Sequence, residues 1–182
     1  MNEIRNEDIQ NFLFEISKRS ILPRFRNLKS EHIKYKNNKD LVTNVDIEVE
    51  SKLKKFLLKL LPNSLFVGEE SFFENPTIIN SYKKNKYCWT VDPIDGTKNF
   101  VNGRHKFAIM IALSFKNKII QSWIYKPLSE EFTYAKLDEG AFVNNKKIIN
   151  SKEFKIHESI GSISSRHWDE TNFIKIEKIK DQ

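Results

Sequence analysis

Apolar residues recur at helical spacing over the first sixty positions, and the period changes further along. Ile9, Phe12, Leu13 and Ile16 fall at i, i+3, i+4 and i+7, one face of a helix. Asn6 reads as its capping side chain, with Glu7 and Asp8 near the positive end of the helix dipole. Pro23 bends or ends this helix. The polar run 32–40 reads as a loop or hairpin. A second helix opens near Thr43 or Asn44 and carries Val45, Val49, Leu53, Phe56, Leu57 and Leu60 to a stop at Pro62.

Strand signals take over after that stop. Residues 64–67 and 87–91 read as short strands, with a polar loop containing Pro76 between them. Residues 107–115, 119–125 and 131–137 are three more, joined by links short enough for an antiparallel meander. Asp138-Glu139-Gly140 and Asn144-Asn145 are turns. Residues 159–164 read as a last strand, and 171–179 have helical spacing. Helices first and a strand-rich sheet afterwards predict an α+β layered fold with a mostly antiparallel sheet.

The 182 residues suffice for one domain, and a chain of this size hides about 70% of its unfolded surface. Hydrophobic residues at 39%, with 14 Phe, exclude intrinsic disorder. The net charge of +7 raises the question of nucleic acid. The excess is lysine, 25 of 31 basic residues, scattered among asparagines without a dense stripe. Arginine is the residue of bidentate phosphate and base recognition, so the composition argues for a solvated surface and against nucleic acid. No apolar run approaches the ~20 residues of a membrane span. The first ten residues carry Glu3, Glu7 and Asp8 and no apolar core of a leader. The expectation is a soluble, cytoplasmic protein without a membrane partner. Cys88 is the single cysteine, so no internal disulfide forms, and its place inside a strand suits packing. His32, His105, His157 and His167 have no ligand spacing and read as structural or surface residues.

The densest chemical signal is Asp92-Pro93-Ile94-Asp95-Gly96-Thr97, directly after an apolar strand. Two carboxylates three apart across a rigid proline can meet at one point. Hard cations such as Mg²⁺ want such oxygen donors. Two acids packed at a strand end repel each other without a cation, which tells against a simple Asp/Gly-rich turn. Gly96 lets backbone approach a ligand, and Thr97, Lys98 and Asn99 can open a helix whose N–H groups face an anion. Gly68-Glu69-Glu70-Ser71 stands at another strand end. It suits a metal ligand beside a water-orienting base, but alone it reads as a solvated loop. Asp46 and Glu50 share one helix face; alone they mark a capped helix start.

Together Thr43-Asn44-Val45-Asp46, Gly68-Glu69-Glu70-Ser71 and Trp89-Thr90-Val91-Asp92-Pro93-Ile94-Asp95-Gly96-Thr97-Lys98-Asn99-Phe100 stand in the order and spacing of one family. The chain resembles the inositol monophosphatase family of Mg²⁺-dependent, lithium-sensitive phosphatases. Gly140-Ala141-Phe142, with Asn144 and Lys146-Lys147, is similar to that family's next turn. The resemblance implies a layered sandwich of the inositol monophosphatase and fructose-1,6-bisphosphatase type. It implies hydrolysis of a phosphate monoester of a small polyol-like metabolite, with Mg²⁺ as cofactor. It implies that Glu69, Asp92 and the main-chain oxygen of Ile94 ligate a first metal, and Asp92 and Asp95 a second. Gly96 and Thr97 then hold phosphate through backbone N–H groups. Glu69, or Thr97 with Asp46, orients the attacking water, and Lys36 stands near the substrate.

The resemblance also implies that residues 1–182 are a single domain, the N-terminal portion of such a phosphatase, with the C-terminal half absent. Trp168-Asp169 mimics a motif of that half but comes 74 positions after Asp95, too early for the family pattern. The chain alone is therefore expected to turn over substrate poorly. Rival substrates are histidinol phosphate and 3′(2′),5′-bisphosphate nucleotides, each faintly suggested by residues 162–168. Readings of another class are a non-catalytic basic module binding anions or nucleic acid, and an inactive half pairing as a homodimer through exposed sheet.

Overall fold

The computed structural model describes residues 4–36 and 40–149. The chain divides into two compact units, Met1–Ile148 and Ile149–Gln182, and every element below belongs to the first. The expected strand at 159–164, the helical stretch 171–179, His157, His167 and the Trp168-Asp169 pair lie outside the described residues.

Helix α1 spans Asn6–Ile16 and buries Ile9, Leu13 and Ile16, the face its spacing predicts. Asn6 does not cap it. The N-cap is Arg5, without a side-chain hydrogen bond, and the Asn6 Oδ1 instead accepts the indole N–H of Trp123 at 2.8 Å. A buried indole needs that acceptor, and tertiary demand has overridden the local cap. The helix loosens through a π-turn at Ser17–Ile21 and a 3₁₀ turn at Leu22–Arg24 that takes in Pro23. Strands β1 (Ile33–Tyr35) and β2 (Leu41–Thr43) form an antiparallel hairpin, and β2 leads directly into α2, Asn44–Leu60.

The main sheet has seven strands in chain order. They are β3 (Leu65–Gly68), β4 (Tyr87–Asp95), β5 (Ala108–Phe115), β6 (Lys118–Lys126), β7 (Glu131–Lys136), β8 (Gly140–Val143) and β9 (Lys146–Lys147). β3 and β4 are parallel and the remaining neighbours antiparallel. Gly140-Ala141-Phe142, read as a turn, is the body of β8. Its turn is Asn144-Asn145, both at positive φ, as a two-residue hairpin link requires. The stretch read as a loop around Pro76 holds helix α3, Glu69–Glu74, and a 3₁₀ helix, Pro76–Lys83.

One face of the sheet carries Trp89, Val91, Ile111, Leu113, Trp123 and Phe132 against α1 and α2. Trp89, Trp123 and Phe132 are at most 1% exposed, and burying each such side chain is worth about 3 kcal/mol. Phe12 stacks on Phe56 at 3.9 Å and ties α1 to α2. These contacts hold α2 alongside β4 and bring its first two turns to the C-terminal ends of β3 and β4. No helix among the described residues is long and apolar enough to cross a membrane.

Candidate metal and phosphate site

The parallel pair β3 and β4 sets two acids side by side. Gly68 pairs with Val91 in register, so the chain steps next to Glu69 on one strand and Asp92 on the other. Beyond that point β4 bulges. Asp92 pairs with Met110 and Asp95 with Ala108, three steps against two. Residues three apart on a regular strand point to opposite faces. The extra residue brings Asp95 back to the face of Asp92. Pro93 sits inside the bulge, where its missing N–H costs no ladder bond. Asp92 Oδ1 accepts the Ile94 N–H at 3.1 Å and closes the turn on its own backbone. The motif expected after the strand is thus its last, bulged segment. Gly96 follows at φ 85°, and a Cβ there would lie 2.7 Å from the Lys106 carbonyl oxygen; only glycine meets both conditions. Helix α4, Thr97–Val101, starts at once, as the sequence suggested.

Helix α2 delivers Asp46. Thr43 and Asp46 form a reciprocal capping box, in which Asp46 Oδ2 accepts the Thr43 N–H at 2.8 Å and the Thr43 hydroxyl at 2.5 Å. That leaves Oδ1 for the Thr97 hydroxyl at 3.1 Å. The same hydroxyl has the Ile94 carbonyl oxygen at 2.9 Å. Asp46 is fully buried. Burial pushes its carboxyl above the usual range, and the bonds from Thr43 and Thr97 oppose this without cancelling it.

Lys36, at the end of β1, places Nζ 2.7 Å from both Glu69 Oε1 and Glu70 Oε1 with its side chain 6% exposed. The contact to Glu69 is a hydrogen bond. The contact to Glu70 is an ion pair. Burial alone lowers a lysine pKa, but the two glutamates outweigh it and hold Lys36 above its ordinary value. Burial raises Glu70 to about 7, with Lys36 opposing and the charges of Glu69 and Asp46 adding. Asp92 is pushed well above the carboxylate range, first by burial, then by the charges of Glu69 and Asp95 and by a hydrogen bond to Glu69. Cys88, buried in β4, has its thiol pushed up to about 11 by burial, which suits packing and not nucleophilic attack.

Glu69, Asp92, Ile94, Asp95, Gly96, Thr97, Asp46 and Lys36 therefore come together where β3 and β4 end. Among the described residues no three His, Cys, Asp or Glu side chains close into a ready-made metal cage; the Lys36 ammonium supplies the counter-charge to Glu69. The donor set still fits a hard divalent cation. It is all oxygen, and burial together with the charges of Glu69 and Asp95 opposes ionisation of Asp92, a penalty that a bound cation would remove. A cavity of about 460 Å³ opens beside Glu69 and Asp92, lined by Thr90, Met110, Ala112, Ile124, Phe72 and Ile79. A second cavity, about 580 Å³ between α1 and α2, holds none of these residues. The doubled acid Glu69-Glu70 suits a metal ligand beside a water-orienting base, while the roles implied by the family resemblance name Glu69 and leave Glu70 out. Nor do they name Thr43, whose signal is three-residue spacing to Asp46.

Residues 6–181 match the inositol monophosphatase family, and the chain belongs to it. It is 35% identical over 124 residues to the fructose-1,6-bisphosphatase/inositol-1-monophosphatase of Aquifex aeolicus (strain VF5), covering 68% of this chain and 44% of that protein. It is 37% identical over 134 residues to an inositol monophosphatase of Dictyostelium discoideum, covering 74% of this chain and 48% of that one. A crystal structure of an IMPase/NADP phosphatase complexed with Mg²⁺ and phosphate matches with a TM-score of 0.64 and 28% identity, covering 78% of this chain and 51% of that chain. The chain spans about half the length of the curated relatives it matches.

Proposed function

We propose that this chain carries the metal- and water-handling part of a Mg²⁺-dependent phosphomonoesterase acting on a small polyol-like phosphate ester. The observation that carries the reading is the β4 bulge, which sets Asp95 on the face of Asp92 next to Glu69. Glu69, Asp92 and the Ile94 carbonyl would hold one Mg²⁺, and Asp92 with Asp95 a second. Bound Mg²⁺ supplies Lewis-acid neutralisation of the phosphate and lowers the pKa of water.

The chain's own residues do the rest. Thr97 donates its hydroxyl proton to Asp46, which leaves the Thr97 oxygen lone pairs to accept from the attacking water and aim it. As the water oxygen bonds to phosphorus, its proton passes to a carboxylate, with Glu69 the candidate base. The bond from phosphorus to the ester oxygen breaks with its electron pair on that oxygen, which takes a proton from solvent water and leaves as the alcohol. Backbone N–H groups of Gly96 and Thr97 face the phosphate oxygens, and the tight turn at Gly96 permits that approach. With Glu69 committed to a cation, the Lys36 ammonium is released toward the substrate. The scattered lysines are solvated surface in this reading, which leaves no nucleic-acid partner.

The test is Mg²⁺-dependent phosphate release from inositol phosphate, histidinol phosphate and a nucleotide bisphosphate, run on the 182-residue chain and on any longer natural form. Turnover by either form that needs Mg²⁺, falls at millimolar Li⁺ and not at matched Na⁺, and prefers inositol phosphate is the expected result. Equal response to Li⁺ and Na⁺ would count against the family mechanism. Turnover in chelator would count against the metal site.

A further inference from the structure

Glu50 has no part in the hydrolysis above, yet its carboxylate is placed with care. It lies one helical turn after Asp46, on α2, and is 4% exposed. Oε2 accepts the Glu70 N–H at 2.7 Å, and Oε1 accepts the Ser71 N–H at 2.9 Å. The Ser71 hydroxyl makes a third, short bond to Oε1. These are donors at the first turn of α3, which an N-cap side chain ordinarily satisfies. Here the N-cap is Gly68, which has none to offer. A Cβ at Gly68 would stand 2.3 to 2.5 Å from the carboxyl atoms of Glu50. Position 68 is therefore kept empty, and a helix twenty residues upstream supplies the cap.

Glu69 sits between that glycine and those anchored N–H groups. We propose that Glu50 is a positioning residue for Glu69: it pins the first turn of α3 and so fixes the direction in which Glu69 leaves β3 toward Asp92. The role rests on the metal-site reading of Glu69. Two carboxylates one turn apart on α2 then hold two parts of the site in one frame, Asp46 the Thr97 hydroxyl and Glu50 the start of α3. Bonds from donors to a charged acceptor are the strong kind, and groups that orient a ligand typically contribute 10- to 100-fold in metal affinity.

The experiment titrates Mg²⁺ by calorimetry into the 182-residue chain and its Glu50→Ala, Glu50→Gln and Gly68→Ala variants, and into the Glu50→Ala/Gly68→Ala double variant. Amide exchange at residues 70 and 71 is followed in parallel without metal. Glu50→Ala should weaken Mg²⁺ binding about 10- to 100-fold and speed exchange at both amides. Gly68→Ala should do the same, because its Cβ displaces the carboxylate. The double variant should lose no more than the worse single one. Glu50→Gln keeps an acceptor oxygen and should recover part of the loss. Where Glu50→Ala does not fold, Gly68→Ala and Glu50→Gln carry the test. Folded variants with wild-type Mg²⁺ affinity overturn this role alone and leave a plain helix cap. Additive losses in the double variant overturn the shared route. A wild-type chain that binds no Mg²⁺ overturns the metal site and this role with it, whatever the exchange rates.

Discussion

Glu50 and Asp92 are both carboxylates withdrawn from solvent at the same end of the sheet, and the protein treats them in opposite ways. Glu50 is met by two backbone N–H groups and a hydroxyl. Asp92 receives the Ile94 N–H and is otherwise crowded by Glu69 and Asp95, with its pKa raised. A buried acid that is fully bonded stabilises its surroundings; one left beside like charges costs stability until something positive arrives. On the proposed metal-site reading, the contrast separates acids that build the site from acids that work in it.

The largest effect should come from removing a working acid. Asp95→Asn keeps shape and ladder pairing but withdraws a charge from the proposed second metal position. It should cut Mg²⁺-dependent phosphate release about 1,000-fold, roughly 4 kcal/mol of barrier, with unchanged circular dichroism. Retention of most wild-type turnover in saturating Mg²⁺ would remove Asp95 from the metal site.

Removing a building acid should act on the fold instead. Glu50→Ala strands the buried Glu70 N–H and the part-buried Ser71 N–H, and each unmet buried group costs about 1–3 kcal/mol. Urea unfolding should report a loss of about 3 kcal/mol. Thr97→Val tests a residue on the border of the two classes. It takes from Asp46 the donor at 3.1 Å and should cost about 1 kcal/mol of stability. It should also lower turnover by more than that, about 100-fold. Equal losses in both would make Thr97 a mere structural bond.

The smallest effect has the opposite sign. Asp92→Asn replaces a carboxyl whose ionisation is opposed by burial and by its acidic neighbours, so in chelator the variant should be more stable than wild type by about 1 kcal/mol. A destabilised variant would mean that Asp92 is as well satisfied as Glu50.

The same contrast explains what the sequence could tell. The helix faces of α1 and α2 and the cores of β4 to β7 were legible because one apolar stripe or alternation decides each of them. The site motifs were legible because several acids, glycines and a proline sat at fixed spacing. The bulge was not, since it depends on how Met110 and Ala108 pair with β4. Asn6 misled because its partner, Trp123, lies 117 residues away. β8 was missed because four residues containing a glycine carry too little pattern. Glu50 looked like part of a capped helix start, and its partners lie on another element that only the packed sheet brings close.

The most direct test of the working-acid claim is thermal unfolding of the chain in chelator and in Mg²⁺ across the neutral range. Glu70, at about 7, and Asp92 both have folded pKa values above their unfolded ones. Their stabilising contribution is complete below the unfolded value and disappears as pH rises through the folded one. Lys36, raised above its ordinary value, stays charged throughout. Without metal the melting temperature should therefore fall from about pH 6 to about pH 8. Mg²⁺ should restore it, by more at the higher pH, because the cation takes the deprotonated acids. Asp92→Asn should make both trends shallower, leaving in the metal-free curve the part due to Glu70. A metal-free melting temperature that rises or stays level over that range, with a Mg²⁺ increment independent of pH, would contradict the account.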